Sequence, residues 1–462
     1  MATQSPEPGS PAAVMKRYFL FNIESYEEKS NKKGGLDLID YDGPTYETRV
    51  KFTSIIDSQG ITVLNNTWFI LGTVKSKDIA SPVPDMDLEF RSMLLVCSKE
   101  GTKLDLQSHI HNYGIWSRVV NEVQYIATIG EDYIEERLTN PGSNSHEKVL
   151  AVVIKIWEVK KLLEGKYYSL EEEQGKDGKS FPKIIYLNKK VGIKDISAAT
   201  FSDDFSKGVI GLTSGSSIYI KANNNKGYNL FTDKNVQSVD LAPLKDYNKP
   251  VTNVHIVNDM DESGNPAWFV FCTTEGALYS YVITPKATKR NVIAGITAPP
   301  YTLAARGNEI VVLDPENDEL KKFVGQNLVN KWSIEEASTV QSVHLTERYI
   351  VTVRCSEKTK TVKVYDMVNN IIPYQTVVAE IFATSTSGDC IYFFLRKVNA
   401  KVLETLREKS NIDKLEIFLK KKHYDVAYSF AESERFSAEV LAEIMRYYGD
   451  YCLGKVRLCI DE

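Results

Sequence analysis

From Tyr18 to about Leu406 the chain repeats one pattern: a short apolar run, a turn, and another run. The runs are rich in Val, Ile, Tyr, Phe and Thr, and Gly, Asn, Asp or Pro stand between them, which is the signature of short β-strands joined by tight turns. The clearest pairs are Phe90–Cys97 with Gly101, Val119–Thr128 with Val149–Val159, and Ile196–Phe201 with Val209–Ile220. They continue through Val251–Val257 with Trp268–Ile283, Tyr301–Ala304 with Ile310–Leu313, Val340–Leu345 with Tyr349–Tyr365, and Val377–Phe382 with Cys390–Val398. The text has no heptads, no crossover helices and no doubly wound alternation, so a mainly β architecture follows.

Within that text one run recurs. Val153-Ile-Lys-Ile-Trp-Glu158 and Val362-Lys-Val-Tyr-Asp366 are its best copies, and both resemble the third strand of a WD40-type blade. Gly211–Ile220, Thr274–Ile283 and Ala305–Asp314 are weaker relatives. Together with the N-terminal segments they make about seven units, which predicts a seven-bladed β-propeller over residues 15–405. Polar insertions at 24–44, 131–148, 164–182 and 222–247 break the spacing and read as loops on the blade rims. Radial closure lets each small sheet bury both faces and leaves only short edges. Tyr18–Phe21 is expected to complete the last blade and fasten the ring. A pair of stacked β-sandwiches would use the same strand content and is the alternative.

Near Lys401 the periodicity changes. Leu415, Phe418, Leu419, Val426, Ala427, Phe430, Val440, Leu441, Ile444 and Met445 fall at three- and four-residue steps, which gathers one apolar stripe per helix. Ser410 with Asp413 reads as a capping box and Ser437 as an N-cap. The spacing predicts helices near 411–422, 424–434 and 437–451, each too short to be stable alone. Consecutive helices joined by short connections fold back on one another, so residues 406–455 read as the start of an α-solenoid. Residues 1–14 are read as a disordered tail, and 456–462 as a divergent or truncated end that does not continue the helical repeat.

A net charge of -5 argues against a basic nucleic-acid-binding surface. Lys420-Lys421-Lys422 is the one obvious basic run, and its place at the end of a helix is where cations suit the dipole. The six cysteines at 97, 272, 355, 390, 452 and 459 form no C-x-x-C pair, and four of them sit in apolar runs, so a reducing compartment is expected. Residues 1–13 are Pro- and Ser-rich without the apolar core of a signal peptide, and no stretch has the length of a membrane span. A cytosolic protein with only peripheral membrane association is the expectation.

No constellation of residues satisfies a catalytic or metal-binding pattern. Gly175-Lys-Asp-Gly-Lys-Ser180 invites a phosphate-loop reading, but position 173 is Glu and Phe181-Pro182 stops the helix that should follow. His109-Ile-His111 lacks a third ligand nearby and reads as a surface or loop pair. Glu171-Glu172-Glu173 and Glu131-Asp132 with Glu135-Glu136 read as solvated loops. No serine lies in a G-x-S-x-G elbow, and Asn65-Asn66-Thr67 is a glycosylation acceptor without meaning in the cytosol. Catalytic residues, metal ligands and cofactor sites are therefore all expected to be absent.

The helical end carries a more specific likeness. Lys414-Leu-Glu-Ile-Phe-Leu-Lys-Lys-Lys422, Tyr424-Asp-Val-Ala-Tyr428 and Val440-Leu-Ala-Glu-Ile-Met-Arg-Tyr-Tyr-Gly-Asp450 resemble the propeller–solenoid junction of the vacuolar protein sorting-associated protein 11 family. Ile126–Asp132 followed by Val153–Trp157 is similar to that family's second blade, and Val364-Tyr-Asp366 with Ile372-Pro-Tyr374 to a later strand. The resemblance implies a non-catalytic core subunit of the HOPS and CORVET tethering complexes, working in vesicle docking between endosome and lysosome or vacuole. It implies sister subunits as partners, and late-endosomal, lysosomal or vacuolar membranes reached peripherally, with no nucleic acid. Family members carry further helical pairs and a C-terminal RING zinc finger whose ligands are absent here, so no ligase activity is implied for this chain. A propeller–solenoid scaffold of a clathrin-like coat, nuclear pore or intraflagellar transport is the alternative function.

Overall fold

Each pair of β-branched runs folds back through a turn that its own residues favour, and four such runs make a small antiparallel sheet. At Asn65-Asn66 and Asn121-Glu122 both hairpin residues take the left-handed conformation (φ 47° and 60°, 50° and 65°); this twist matches that of the flanking strands, and Asn tolerates it well. The computed structural model describes residues 15–27, 51–75, 90–99, 101–137, 146–163, 183–190, 195–222, 230, 236–243, 249–398 and 400–460. The expected tail at 1–14, the phosphate-loop look-alike at 175–180, the acidic run at 171–173 and the middles of the four insertions lie outside these residues.

Seven sheets result. Blade 1 spans residues 57–107, blade 2 111–190, blade 3 196–241, blade 4 253–294, blade 5 303–333, blade 6 340–378 and blade 7 380–408. Hydrophobic packing shows how they are arranged. Seven separate apolar clusters each join two consecutive blades, and one of them packs Phe52, Trp68 and Leu95 near blade 1 against Phe394 and Leu403 of blade 7. The sheets therefore close into a ring, a seven-bladed β-propeller, and stacked sandwiches are excluded. The core is seven wedges rather than one mass, which lets about 390 residues fold as one body without a single oversized centre.

The N-terminal segment closes the ring differently from the expectation. Lys16–Arg17 runs parallel to the outer strand of blade 6, pairing with Ile371 and Ile372. The chain then crosses to blade 7, where Phe21–Glu27 pairs antiparallel with Val402–Glu408 as the fourth strand. Only Phe21 of the expected Tyr18–Phe21 stretch lies in the closing strand, and residues 24–27, read as loop, extend it.

Val153–Glu158 and Val362–Asp366 do occupy third strands, in blades 2 and 6. Ala305–Asp314 does not: it covers the first two strands of blade 5, and the third is Glu319–Val324. Val119–Thr128 straddles a hairpin turn, because the first strand of blade 2 begins at His111 and ends at Val120. A one-turn helix, α1 (Val159–Leu163), follows the third strand of blade 2 and buries Val159 and Leu162 between blades 1 and 2.

After Glu408 come α2 (Asn411–Lys420), α3 (Tyr424–Ser433) and α4 (Ala438–Ile460). The strand of blade 7 runs past residue 405, and α4 continues through residues expected to leave the helical pattern. The Ser410 hydroxyl accepts from the Asp413 amide (3.2 Å) and donates to the Asp413 carboxylate (2.7 Å), forming the expected cap. The carbonyl of Ser437 accepts from Leu441 N–H (3.2 Å), the first bond of α4. No described helix is long and apolar enough to cross a membrane.

Candidate functional site at the junction of ring and helices

The helices rest on blades 6 and 7, and the N-terminal segment lies between. Phe418 of α2 is fully buried, edge-on to Tyr18 (4.7 Å between centroids) and to Phe430 of α3 (5.2 Å). Tyr18, Leu20 and Ile371 share a cluster with Leu415, Phe418, Ala427, Phe430, Ala431 and Ile444. Three-residue spacing supplies these contacts: Leu415 with Phe418, and Ala427 with Phe430, face the same way. Backbone bonds hold the segment from both sides. Tyr18 N–H donates to Ile372 O and Leu20 N–H to Pro373 O (2.8 Å each), while Leu20 O accepts from Lys409 N–H (2.9 Å). The Tyr18 hydroxyl meets His423 Nδ1 at 2.6 Å, and burial is the main reason its pKa is pushed well above the ordinary phenol range.

A polar network crosses the same junction. Arg348, in a turn of blade 6, bonds Asp366 (3.2 Å) and Glu434, the residue that caps α3 at its C-terminus, with its guanidinium over Phe430 and Tyr349. Glu434 also accepts from Asn411 (2.7 Å). Glu408 accepts from the Tyr349 hydroxyl and from the buried Lys414 ammonium, which in turn donates to Asn411 (2.9 Å). Every charge in this chain of contacts has an opposite partner, and such half-buried networks define geometry more than they add stability. The ring and the first helices are therefore one body with a set angle between them.

Beyond that contact several described side chains of α4 face solvent. Ile444 is buried against α3, whereas Met445 and Leu453 are 51% and 64% exposed, and Tyr447 and Tyr448 are partly open to solvent. Tyr424 stacks near Tyr448 and Tyr451 (5.8 and 5.4 Å between centroids), and Lys422 lies over Tyr451 (5.7 Å). Large exposed aromatics with polar tips are the side chains that protein interfaces favour.

Other residues singled out in the sequence have structural roles. His109 is buried rather than on the surface. Its Nδ1 meets Asp132 (3.0 Å) and its Nε2 Thr128 (2.9 Å), so both nitrogens are engaged, and burial lowers its pKa further than Asp132 raises it. Lys155 completes the group through Asp132 (3.0 Å) and the Ser108 carbonyl. Gly130 makes room, since a Cβ there would lie 2.4 Å from His109. His111 begins a strand and does not join His109. Glu131 and Asp132, expected in a solvated loop, sit inside a strand of fifteen residues, where buried Glu131 accepts from Asp195 N–H (2.8 Å) at the entry to blade 3. In the basic run, Lys420 is solvated and pairs with Glu416 (2.8 Å), while Lys421 reaches the Arg17 carbonyl (3.2 Å) and covers Tyr18. Among the described residues no group of three His, Cys, Asp or Glu is arranged to hold a metal.

These features define a class: a seven-bladed propeller with a helical extension rigidly docked on it and an open aromatic helix face. Over 100 residues, 22% of this chain and 10% of the relative, the sequence is 28% identical to the Homo sapiens vacuolar protein sorting-associated protein 11 homolog. Over 93 residues, 20% of this chain and 10% of the relative, it is 34% identical to the Arabidopsis thaliana vacuolar protein-sorting-associated protein 11 homolog. The match thus spans a tenth of each curated relative. Among solved structures, Chaetomium thermophilum Raptor aligns with 78% of this chain and 29% of its own, at TM-score 0.44 and 8% identity. No family model matches the chain.

Proposed function

We propose that this chain is a subunit of a membrane-tethering complex of the HOPS or CORVET type, serving vesicle docking between endosome and lysosome or vacuole without catalysis of its own. The observation that carries the reading is the junction: a ring locked to a short helical stack whose outer face is left apolar and open. Partial similarity to two vacuolar protein sorting-associated protein 11 homologs supports the same direction. In this reading α2 to α4 begin an α-solenoid, the ring presents loops to partners, and sister subunits cover α4. Membranes are reached peripherally through those partners. Tethering benefits from several modest contacts on a stiff body, because each engaged contact raises the effective concentration of the next.

The test is affinity purification of the tagged chain from cells expressing it, with the sister tether subunits quantified by mass spectrometry. Their enrichment, and its loss in Met445→Glu, supports the proposal. Enrichment of coat, nuclear-pore or intraflagellar subunits instead, or none of the sister subunits in repeated preparations, refutes it.

A further inference from the structure

Between blades 5 and 6 two cations are buried without adequate partners. Arg354 and Lys363 are 6% and 8% exposed. They lie on neighbouring strands of blade 6, Lys363 opposite Thr352 and Arg354 opposite Thr361, with both side chains on the face turned toward blade 5. Among the described residues Arg354 has only the Tyr365 hydroxyl at 3.5 Å and Glu336 at 3.9 Å, and its Nε has no hydrogen-bond partner. Among the described residues the carboxylate paired with Lys363 is Glu335, at 4.0 Å. Both glutamates are largely exposed, at 82% and 76% of their side chains. Lys363 has its pKa lowered, first by burial and then by Arg354. Gln375, opposite Lys363 on the outer strand, has its amide oxygen buried and unpartnered. Arg17, on the N-terminal segment paired with Ile372, adds a third cation to the field around Lys363.

Buried cations normally carry close, hydrogen-bonded counter-charges, because removing them from water otherwise costs several kcal/mol. Here the donors are present and the acceptors stand off. A guanidinium fork, an ammonium and a phenol offer more donors than a two-oxygen carboxylate can accept, and they suit a tetrahedral oxyanion. We propose that Arg354, Lys363 and Tyr365, with Arg17 at the outer edge, form a binding site for a phosphate group, and that Glu335 and Glu336 occupy its lip when it is empty. This inference is independent of the tethering reading.

The experiment measures thermal stabilisation of the purified full chain by inorganic phosphate and by inositol hexakisphosphate. Flotation with phosphatidylcholine vesicles, with and without a phosphatidylinositol monophosphate, is run alongside. Saturable stabilisation is expected. Arg354→Gln and Lys363→Met should weaken it by about 30-fold or more, and the exposed pair Glu335→Gln/Glu336→Gln, whose own thermal midpoint is measured alongside, should strengthen it by a few-fold. Flotation that phosphate competes away assigns the group to a lipid headgroup; stabilisation without flotation assigns it to a soluble phosphate. Absence of saturable stabilisation in both the parent and the Glu335→Gln/Glu336→Gln chain overturns the proposal, as does unchanged binding in Arg354→Gln and Lys363→Met.

Discussion

Replacing Phe418 with Ala removes the ring that joins α2, α3 and the N-terminal segment. Its side chain is fully buried, so the lost transfer free energy adds to the cost of a cavity, together about 3–5 kcal/mol for Phe→Ala. The two edge-on contacts, to Tyr18 at 4.7 Å and Phe430 at 5.2 Å, place the expected loss in that range rather than below it. The ring's seven apolar wedges do not include Phe418, so the loss should fall on local opening and not on the propeller. Native-state hydrogen exchange reads this directly. The Tyr18 and Leu20 amides, bonded to Ile372 and Pro373, should exchange faster by roughly two to three and a half orders of magnitude, together with amides of α2 and α3. Amides of blades 2 to 4 should not change. If α2 and α3 open while Tyr18 and Leu20 stay protected, the N-terminal segment is held by blade 6 alone and the argument for a single docked body fails. Ile412→Ala, at a position 66% exposed on the same helix, should shift nothing beyond about 0.5 kcal/mol.

Two further outcomes follow from the polar groups. Burial lowers the pKa of His344 to about 4, and those of His109 and His255 move the same way. Because the folded values lie below the unfolded value near 6.5, stability is full above that pH and is lost as pH falls toward 4. His344 alone should account for on the order of 2 kcal/mol after allowing for its partial contact with water, and urea midpoints between pH 7 and 4 check it; a flat profile that His344→Gln does not alter would contradict it. Glu131→Ala should cost about 1–3 kcal/mol by leaving Asp195 N–H without its acceptor, seen as a lower denaturation midpoint with an unchanged denaturant slope.

The ring was legible wherever information is local. Val153–Glu158 and Val362–Asp366 read as third strands because alternation and a terminal aromatic lie within six residues, and Ser410 read as a cap because its partner is three residues on. The acidic cluster at Glu131 misled because charge suggests solvent, whereas Asp195, 64 residues away, supplies the donor. His109 was misplaced for the same reason, its partner Asp132 lying 23 residues on, in the second strand of blade 2. Nothing in the text around Arg348 announces Glu434, 86 residues further on, so the junction network stayed hidden although both apolar stripes that flank it were visible. The cations at Arg354 and Lys363 were hidden in an otherwise regular alternating strand pair, and only the sheet register brings them side by side.

The pairing of Phe21 with Glu408 imposes an order on biosynthesis. A ribosome has already released the first of these strands when the second has yet to be made, so blade 7 cannot be completed until nearly the whole ring has emerged. Until then the closing strand stands with an unmatched edge, open to mispairing. The closure that seals the finished ring thus leaves its first strand waiting for a partner made about 380 residues later.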